Sequence, residues 1–356
     1  SSRVSFQPAS GVLSVPNDLL FAGTLDGTLE MPDEKASRAA GSIDYGSPSV
    51  ALGGLDGWSR QVPFKLALDM AEGTTIAANT VAGKVVIFEA TTSVGNTMDP
   101  NCPSTPAGLP CVPVRQLTEG VDFVVSPGTD SLTIVPLGNL KAGTIHVLGL
   151  LKCIEDSRGE LVAPSETYEI VTSDTDLSNN SSLASLQGAI AVYQGVIQAA
   201  SGGAINAEDF IYSMAMTTQG VAVDLTAIKA VMKFSPPAIS VVDTGVTVRA
   251  AFQGAAGTDP GAAFDTVDYY SGTINLPYYL AVPTQANPMT PINQQWQAAC
   301  DSGVRLAKAT NDELANATPG ANDALCQSLG LRDFGLDTER HVTRYNPYPQ
   351  ATANMP

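Results

Sequence analysis

A mainly β fold with some α structure is predicted: a β-sandwich followed by a smaller α+β region. Three observations point there. Gly120–Tyr168 holds three apolar runs rich in Val, Ile, Leu and Phe, namely Val121–Val125, Leu132–Leu137 and Thr144–Ile154. Each run is closed by turn chemistry at residues 126–130, 138–139 and 157–159, the pattern of successive antiparallel strands at sandwich spacing. Beyond Ser173 the apolar period lengthens from two residues to three and four, so helix enters the chain.

In chain order, residues 1–60 are a loop-rich lead-in expected to pack on a sandwich at 61–173. Val62–Met70 alternates, with Val62, Phe64, Leu66, Leu68 and Met70 on one face, as a half-buried strand does. Lys84–Phe88 is a second short strand, and 93–114 a surface loop. The polar run Ser173–Ser182 alternates Asp174, Asp176, Ser178 and Asn180. It lacks the glycine and glutamate of a calcium loop and is read as a helix-capping linker. Leu183, Leu186, Ile190, Tyr193 and Ile197 then recur at helical spacing, and Gly188 and Gly195 among them predict close packing against a neighbour. Phe210–Thr218 alternates as a strand, and Asp224–Met232 reads as a helix ended before Pro236 and Pro237, so 174–244 is a helix-strand-helix connector. The remaining α+β region, 245–356, has strands at Val246–Phe252 and Thr273–Val282, with Pro277 predicting an edge or bulge. It has helical stretches near Ile292–Cys300 and Ser302–Leu314, and no element in its last twenty residues.

The stretch Leu140–Leu148 (LKAGTIHVL), followed by Ile154–Val162 (IEDSRGELV), resembles the bacterial Ig-like repeats of cell-surface proteins. There a Leu-x-x-x-Thr-x-Tyr-x-Val strand leads into an Asp-x-x-Gly-Asn turn. His146 takes the aromatic position, Leu148 the Val and Glu160 the Asn. A wider set of markers, Pro16–Phe21, Asp26–Leu29, Leu55–Ser59, Phe210–Gln219 and Gly272–Pro283, resembles the N-terminal region of the bacterial virulence-factor lipases. The resemblance implies an Ig-like domain, a C-terminal α/β-hydrolase domain of the same polypeptide as partner, and residues from about 245 as the opening of that hydrolase domain. In GTINLPYYLAVP, Ile274, Leu276, Tyr278 and Leu280 share one strand face and Tyr279 and Ala281 the other. Apolar residues on both faces predict a strand that expects cover, by self-association if nothing else supplies it.

Composition narrows the partners. The 356 residues carry 18 Lys and Arg against 35 Asp and Glu, a net charge of −17, which argues against nucleic acid and anionic lipid surfaces. No apolar run approaches the ~20 residues that span a bilayer. A chain opening on Ser1 and Ser2 reads as a mature secreted, outer-membrane or cell-surface protein. Of five cysteines, Cys102 and Cys111 flank a Pro- and Gly-rich loop and Cys300 and Cys326 bracket a second segment; both are disulfide candidates. Cys153, in an apolar run, is expected to be a buried free thiol. No CxxC spacing exists, and with two histidines no metal site or cofactor is assigned.

No catalytic residue is assigned either. A hydrolase nucleophile needs G-x-S-x-G, and the nearest lookalike, Gly57–Gln61, lacks the second glycine that lets the turn form, so Ser59 is a poor nucleophile. His146 is expected to be a hydrogen-bonded structural imidazole inside a strand, and His341 has no identifiable serine partner. The expected function is therefore the non-catalytic N-terminal part of a secreted lipase or esterase that positions or shapes access to a hydrolase domain. The alternative is an autonomous surface, adhesion or structural protein.

Overall fold

The computed structural model describes residues 1–355 apart from 25, 41–42, 45, 93–104, 221, 235–236, 281–284, 287 and 290–294. The chain forms a mixed α/β protein with antiparallel sheets, folded as two units, Ser1–Val223 and Asp224–Pro356.

The strands of the first unit are β1 (Arg3–Val4), β2 (Phe64–Asp69), β3 (Val85–Ala90), β4 (Pro113–Gln116), β5 (Phe123–Pro127), β6 (Ser131–Pro136), β7 (Ile145–Leu151) and β8 (Phe210–Thr217). They form two four-stranded antiparallel sheets, ordered β1-β2-β6-β5 and β4-β3-β7-β8. In β2, Phe64, Leu66 and Leu68 are buried while Lys65, Ala67 and Asp69 are exposed, so the first sheet keeps one face in water. Phe64 pairs with Ile134 and Leu66 with Leu132, which sets the core register. β3 and β8, by contrast, are buried at every position. The second sheet is covered twice, because both sheets and the helix α4 below contribute to a single apolar core.

The helices of this unit are α1 (Pro32–Ala39), α2 (Pro48–Leu52), α3 (Glu166–Thr172) and α4 (Ser181–Ala200). Asn180 caps α4 by accepting from the Leu183 N–H, and Leu186, Ile190, Tyr193 and Ile197 are its buried stripe, packed against β4, β7 and β8. A Cβ at Gly188 or Gly195 would meet nothing within 4 Å, so these glycines do not serve close packing as their position suggested. Gly149 does: a Cβ there would lie 2.5 Å from the Phe210 ring, across β7 from β8. Ser165 caps α3, whose Tyr168 hydroxyl bonds Ser213 and accepts from Gln194.

At the centre of the unit lies Asp18. Its carboxylate accepts from Trp58 Nε1 at 3.1 Å, the Thr217 N–H at 2.8 Å and the Thr217 hydroxyl at 2.7 Å. Burial pushes its pKa up to about 7 against the pull of these three bonds. Neighbouring Asn17 donates to the Tyr212 hydroxyl at 3.1 Å.

Two side chains depart from expectation. Cys153 is a free thiol but exposed, in a left-handed turn (φ 72°) that ends the β7 run. His146 is buried as expected, yet neither ring nitrogen makes a hydrogen bond of good geometry, and the nearby backbones of Thr144 and Met216 only weakly favour its charged form. The sheet register explains it: His146 stands between Glu89 of β3 and Met216 of β8, and Glu89 is engaged by Arg115 and Lys141. Burial holds the imidazole down at about 4, with Glu89 pulling the other way. The pairing expected for Cys111 involves Cys102, which lies outside the described residues.

The second unit opens with α5 (Val223–Phe234), then β9 (Ile239–Thr247), α6 (Val248–Ala256) and β10 (Asp268–Tyr278). Val246–Phe252, expected as a strand, is mostly α6. Thr247 caps it by accepting from the Ala250 N–H, and Gly257 closes it in the left-handed conformation, so capping and an Ala-rich run override the branched residues. Short helices α7 (Gly303–Lys308), α8 (Asn311–Asn316) and α9 (Asp323–Ser328) follow, and β11 (Ala351–Met355) gives the last residues a strand where none was expected. Ser302–Leu314 is two helices rather than one, because Thr310 starts a new capping box. Residues 295–300 are not helical; Gln297 and Ala298 bridge to His341 and Pro349 instead.

Two predictions follow from the first unit. Asp18→Ala leaves two buried N–H donors unpaired and costs about 3 kcal/mol in urea unfolding. Asp18→Asn keeps the shape. Because the folded carboxyl titrates near 7, above its unfolded value, Asp18→Asn gains on the wild type as pH rises from 4 to 7. A constant difference across that range refutes the charge assignment. For His146 the folded pKa is depressed, so its stabilising contribution is complete above pH 6.5 and is lost as pH falls toward 4. His146→Phe therefore removes about 2 kcal/mol of the wild type's loss between pH 7 and pH 5. An unchanged pH 7-to-5 difference in the variant rules this out.

Candidate functional site

The second unit presents two surfaces that its own packing does not use. The first is its sheet, ordered β11-β10-β9 and antiparallel throughout. Ile239 pairs with Ile274, Val241 with Gly272 and Asp243 with Tyr270, and with Leu276 and Tyr278 these positions share one face. The opposite face carries Ser240, Ser271, Thr273 and Asn275, with Val242 and Pro277 as apolar members. That second face is the more polar of the two; Ala281, expected to make it apolar, lies outside the described residues. Tyr279 leaves the strand altogether, donating to Pro347 O at 2.6 Å and stacking on Trp296.

That apolar face is open. Ile239 is 70% exposed, Val241 63% and Tyr270 53%. No residue of α6 is buried, although α6 lies against β9 and β10. β10 is the central strand and pairs regularly through Pro277, which was expected to mark an edge or a bulge. The Asn275 N–H donates to Ala238 O at 2.8 Å, so odd-numbered residues of β10 aim their backbone groups toward β9. Pro277 lies past the last β9 partner, so its missing N–H removes no bond from that ladder.

The second surface is a cleft of about 390 Å³ lined by Gln297, Asn322, Gly335, Asp337, Thr338, Arg340 and Gln350. Cys300 and Cys326, close in sequence to Gln297 and Asn322, form a disulfide with Cα atoms 5.6 Å apart, inside a small core with Ala299 and Leu331. Around that core runs a charge network. Asp323 takes Arg332 through two bonds of 2.9 and 3.0 Å, which hold its carboxyl well below the usual range. Arg340 donates to Asp333 at 2.6 Å, Asp301 at 3.3 Å, Ala299 O at 2.8 Å and Asp337 O at 3.3 Å. The bidentate and multiply bonded guanidinium groups fix several loops at once.

Residues weighed as catalytic are placed elsewhere or used otherwise. The Ser59 hydroxyl accepts from the backbone of Gln61 and Val62, the role of a turn residue. Gly57 beside it is required by close approach, since a Cβ there would lie 2.6 Å from Thr217 O. His341 is buried with its Nε2 3.7 Å from Glu339. The sheet face was partly legible as alternation in β10. The cleft had no signal, because its seven residues are scattered over more than fifty positions and match no motif.

Comparison with known proteins follows this geometry. The family model for the bacterial virulence factor lipase N-terminal region matches residues 7–249, more than half of the chain. An extracellular lipase of Aeromonas hydrophila is 27% identical over 230 residues, covering 62% of this chain and 30% of that protein. The matched stretch thus spans less than a third of that relative. No solved structure matches. The chain belongs to the bacterial virulence factor lipase N-terminal family.

Proposed function

We propose that this member of the virulence factor lipase N-terminal family is the non-catalytic N-terminal part of a secreted or surface-exposed bacterial lipase. Its β9–β11 sheet seats a C-terminal α/β-hydrolase domain of the same polypeptide, and lipid substrate meets only that domain. The observation that carries the reading is the open apolar face of Ile239, Val241 and Tyr270. Apolar area in water is disfavoured by ~25 cal/mol per Å², and a contiguous exposed patch marks a contact surface. A three-stranded sheet whose apolar face stays in water gains little from that face until something packs on it. The relative's further length supplies polypeptide to cover it. The chain holds no G-x-S-x-G from which a nucleophile elbow could be built.

The finer reading of the sandwich as Ig-like is supported by strand order. Taking β1 to β8 as A, B, C, C′, D, E, F and G, the sheets run A-B-E-D and C′-C-F-G, the order of immunoglobulin domains. The same order favours a second reading, an autonomous surface or adhesion protein whose open sheet meets another copy of the chain.

The chain alone is expected to give no turnover of short p-nitrophenyl esters; turnover lost in Ser59→Ala overturns the non-catalytic reading. Light scattering over a dilution series should show self-association, or hydrogen exchange should show weak protection across 239–278. Val241→Asp, on the open face, should cost less than about 0.5 kcal/mol. A strict monomer, uniformly protected there and strongly destabilised by Val241→Asp, means the face completes its own core, and the lipase reading loses its main support.

A further inference from the structure

The cleft lined by Gln297 and Gln350 is a cavity for which neither the family nor the sheet face has a use. Its charged lining residues are already engaged by other groups. The Arg340 guanidinium donates to two carboxylates and two carbonyls, so no free cation remains there for a phosphate or carboxylate. The Asp337 carboxylate accepts the N–H groups of Ser302, Glu339 and Arg340. Arg340 itself sits in the left-handed region (φ 50°), a conformation that persists in a non-glycine residue only where its surroundings hold it. The disulfide stands close in sequence to both walls, joining Cys300 beyond Gln297 to Cys326 beyond Asn322.

Its uncharged lining residues keep hydrogen-bonding groups that have no protein partner among the described residues. Gln297 Oε1 accepts from Gln350 Nε2 at 2.7 Å, which leaves Gln297 Nε2 and Gln350 Oε1 without partners among the described residues. Asn322 Nδ2 donates to Gln350 O at 3.3 Å, which leaves Asn322 Oδ1. The Thr338 hydroxyl has no partner either. An amide donor, two carbonyl acceptors and a hydroxyl therefore line one space, with no apolar side chain among its lining residues.

We propose that this cleft is a binding site for a neutral, polyhydroxylated ligand, a glycosyl group of one or two rings. Each sugar hydroxyl both donates and accepts, which matches a lining that mixes unpaired donors and acceptors. Anionic ligands find no available cation and would face Asp337, and acyl chains find no apolar side chain among the lining residues. The volume lies at the lower end of the range for small-molecule sites. Preformed walls avoid the ordering cost that open polar surfaces incur on binding. The inference is independent of the hydrolase reading and survives its failure.

The ligand could be a soluble oligosaccharide or the headgroup of a glycolipid, and the test has an arm for each. Saturation-transfer NMR and calorimetry on the full chain would use glucose, galactose, N-acetylglucosamine and lactose, with inorganic phosphate as the anionic control. Vesicles of digalactosyl diacylglycerol, against vesicles of phosphatidylcholine, supply the lipid arm. At least one sugar, or the glycolipid vesicle alone, is expected to bind with a millimolar or lower Kd. Thr338→Val, at an exposed position, should weaken that binding about fivefold or more without shifting thermal unfolding. Gln297→Ala is the second variant, should the first perturb the fold. Absence of binding in both arms, stronger binding of phosphate, or affinity unchanged in both variants overturns the proposal.

Discussion

One buried carboxylate organises the first unit. Asp18 draws Trp58 from a loop and Thr217 from the end of β8 onto a single pair of oxygens. A carboxylate taken out of water is expensive unless donors replace its hydration, and here three do. Those bonds fix where the lead-in segment crosses the second sheet. Gly108 approaches so closely that a Cβ would lie 2.6 Å from Asp18 O, and the Gly108 carbonyl takes the Tyr193 hydroxyl of α4. Lead-in, sheet and helix layer thus meet at one point.

The two units hold together by different physics. The first buries a large continuous set of Val, Ile, Leu, Phe and Tyr side chains from both sheets and α4. In the second, the cluster around the disulfide has four buried members, Ala299, Cys300, Cys326 and Leu331. A core that small stabilises little, so a covalent link and multiply bonded Asp–Arg pairs take its place. Asp301, Asp323 and Asp333 each receive backbone N–H groups as well as arginine, so the desolvated charges are satisfied.

How much of this was written in the sequence depends on periodicity. β2 could be read from its strict alternation and β7 from a continuous branched run, and α4 from its three-and-four spacing. Where local chemistry competed with pattern, pattern misled: Val246–Phe252 looked like a strand, but Thr247 and Gly257 cap a helix there. β1, two residues long, is a strand only because Arg3 and Val4 find Asp69 and Leu68. The open sheet face was half legible, since period two locates the apolar positions of β10 but not what covers them. The cleft was invisible, because its walls are brought together by tertiary packing and a disulfide.

The connection between β7 and β8 has a consequence for how the protein reaches its native state. β8 pairs with β7 along nearly its whole length, yet α3, α4 and their linkers intervene between Leu151 and Phe210. The entropy of closing that span must be met before any β7–β8 hydrogen bond forms, which slows assembly. During synthesis β7 emerges well ahead of its partner, so a strand that is apolar apart from His146 waits with one edge unpaired until residue 217 is available. Acidic residues already outnumber basic ones in the part of the chain made by then, and their mutual repulsion keeps nascent chains apart while that edge is open.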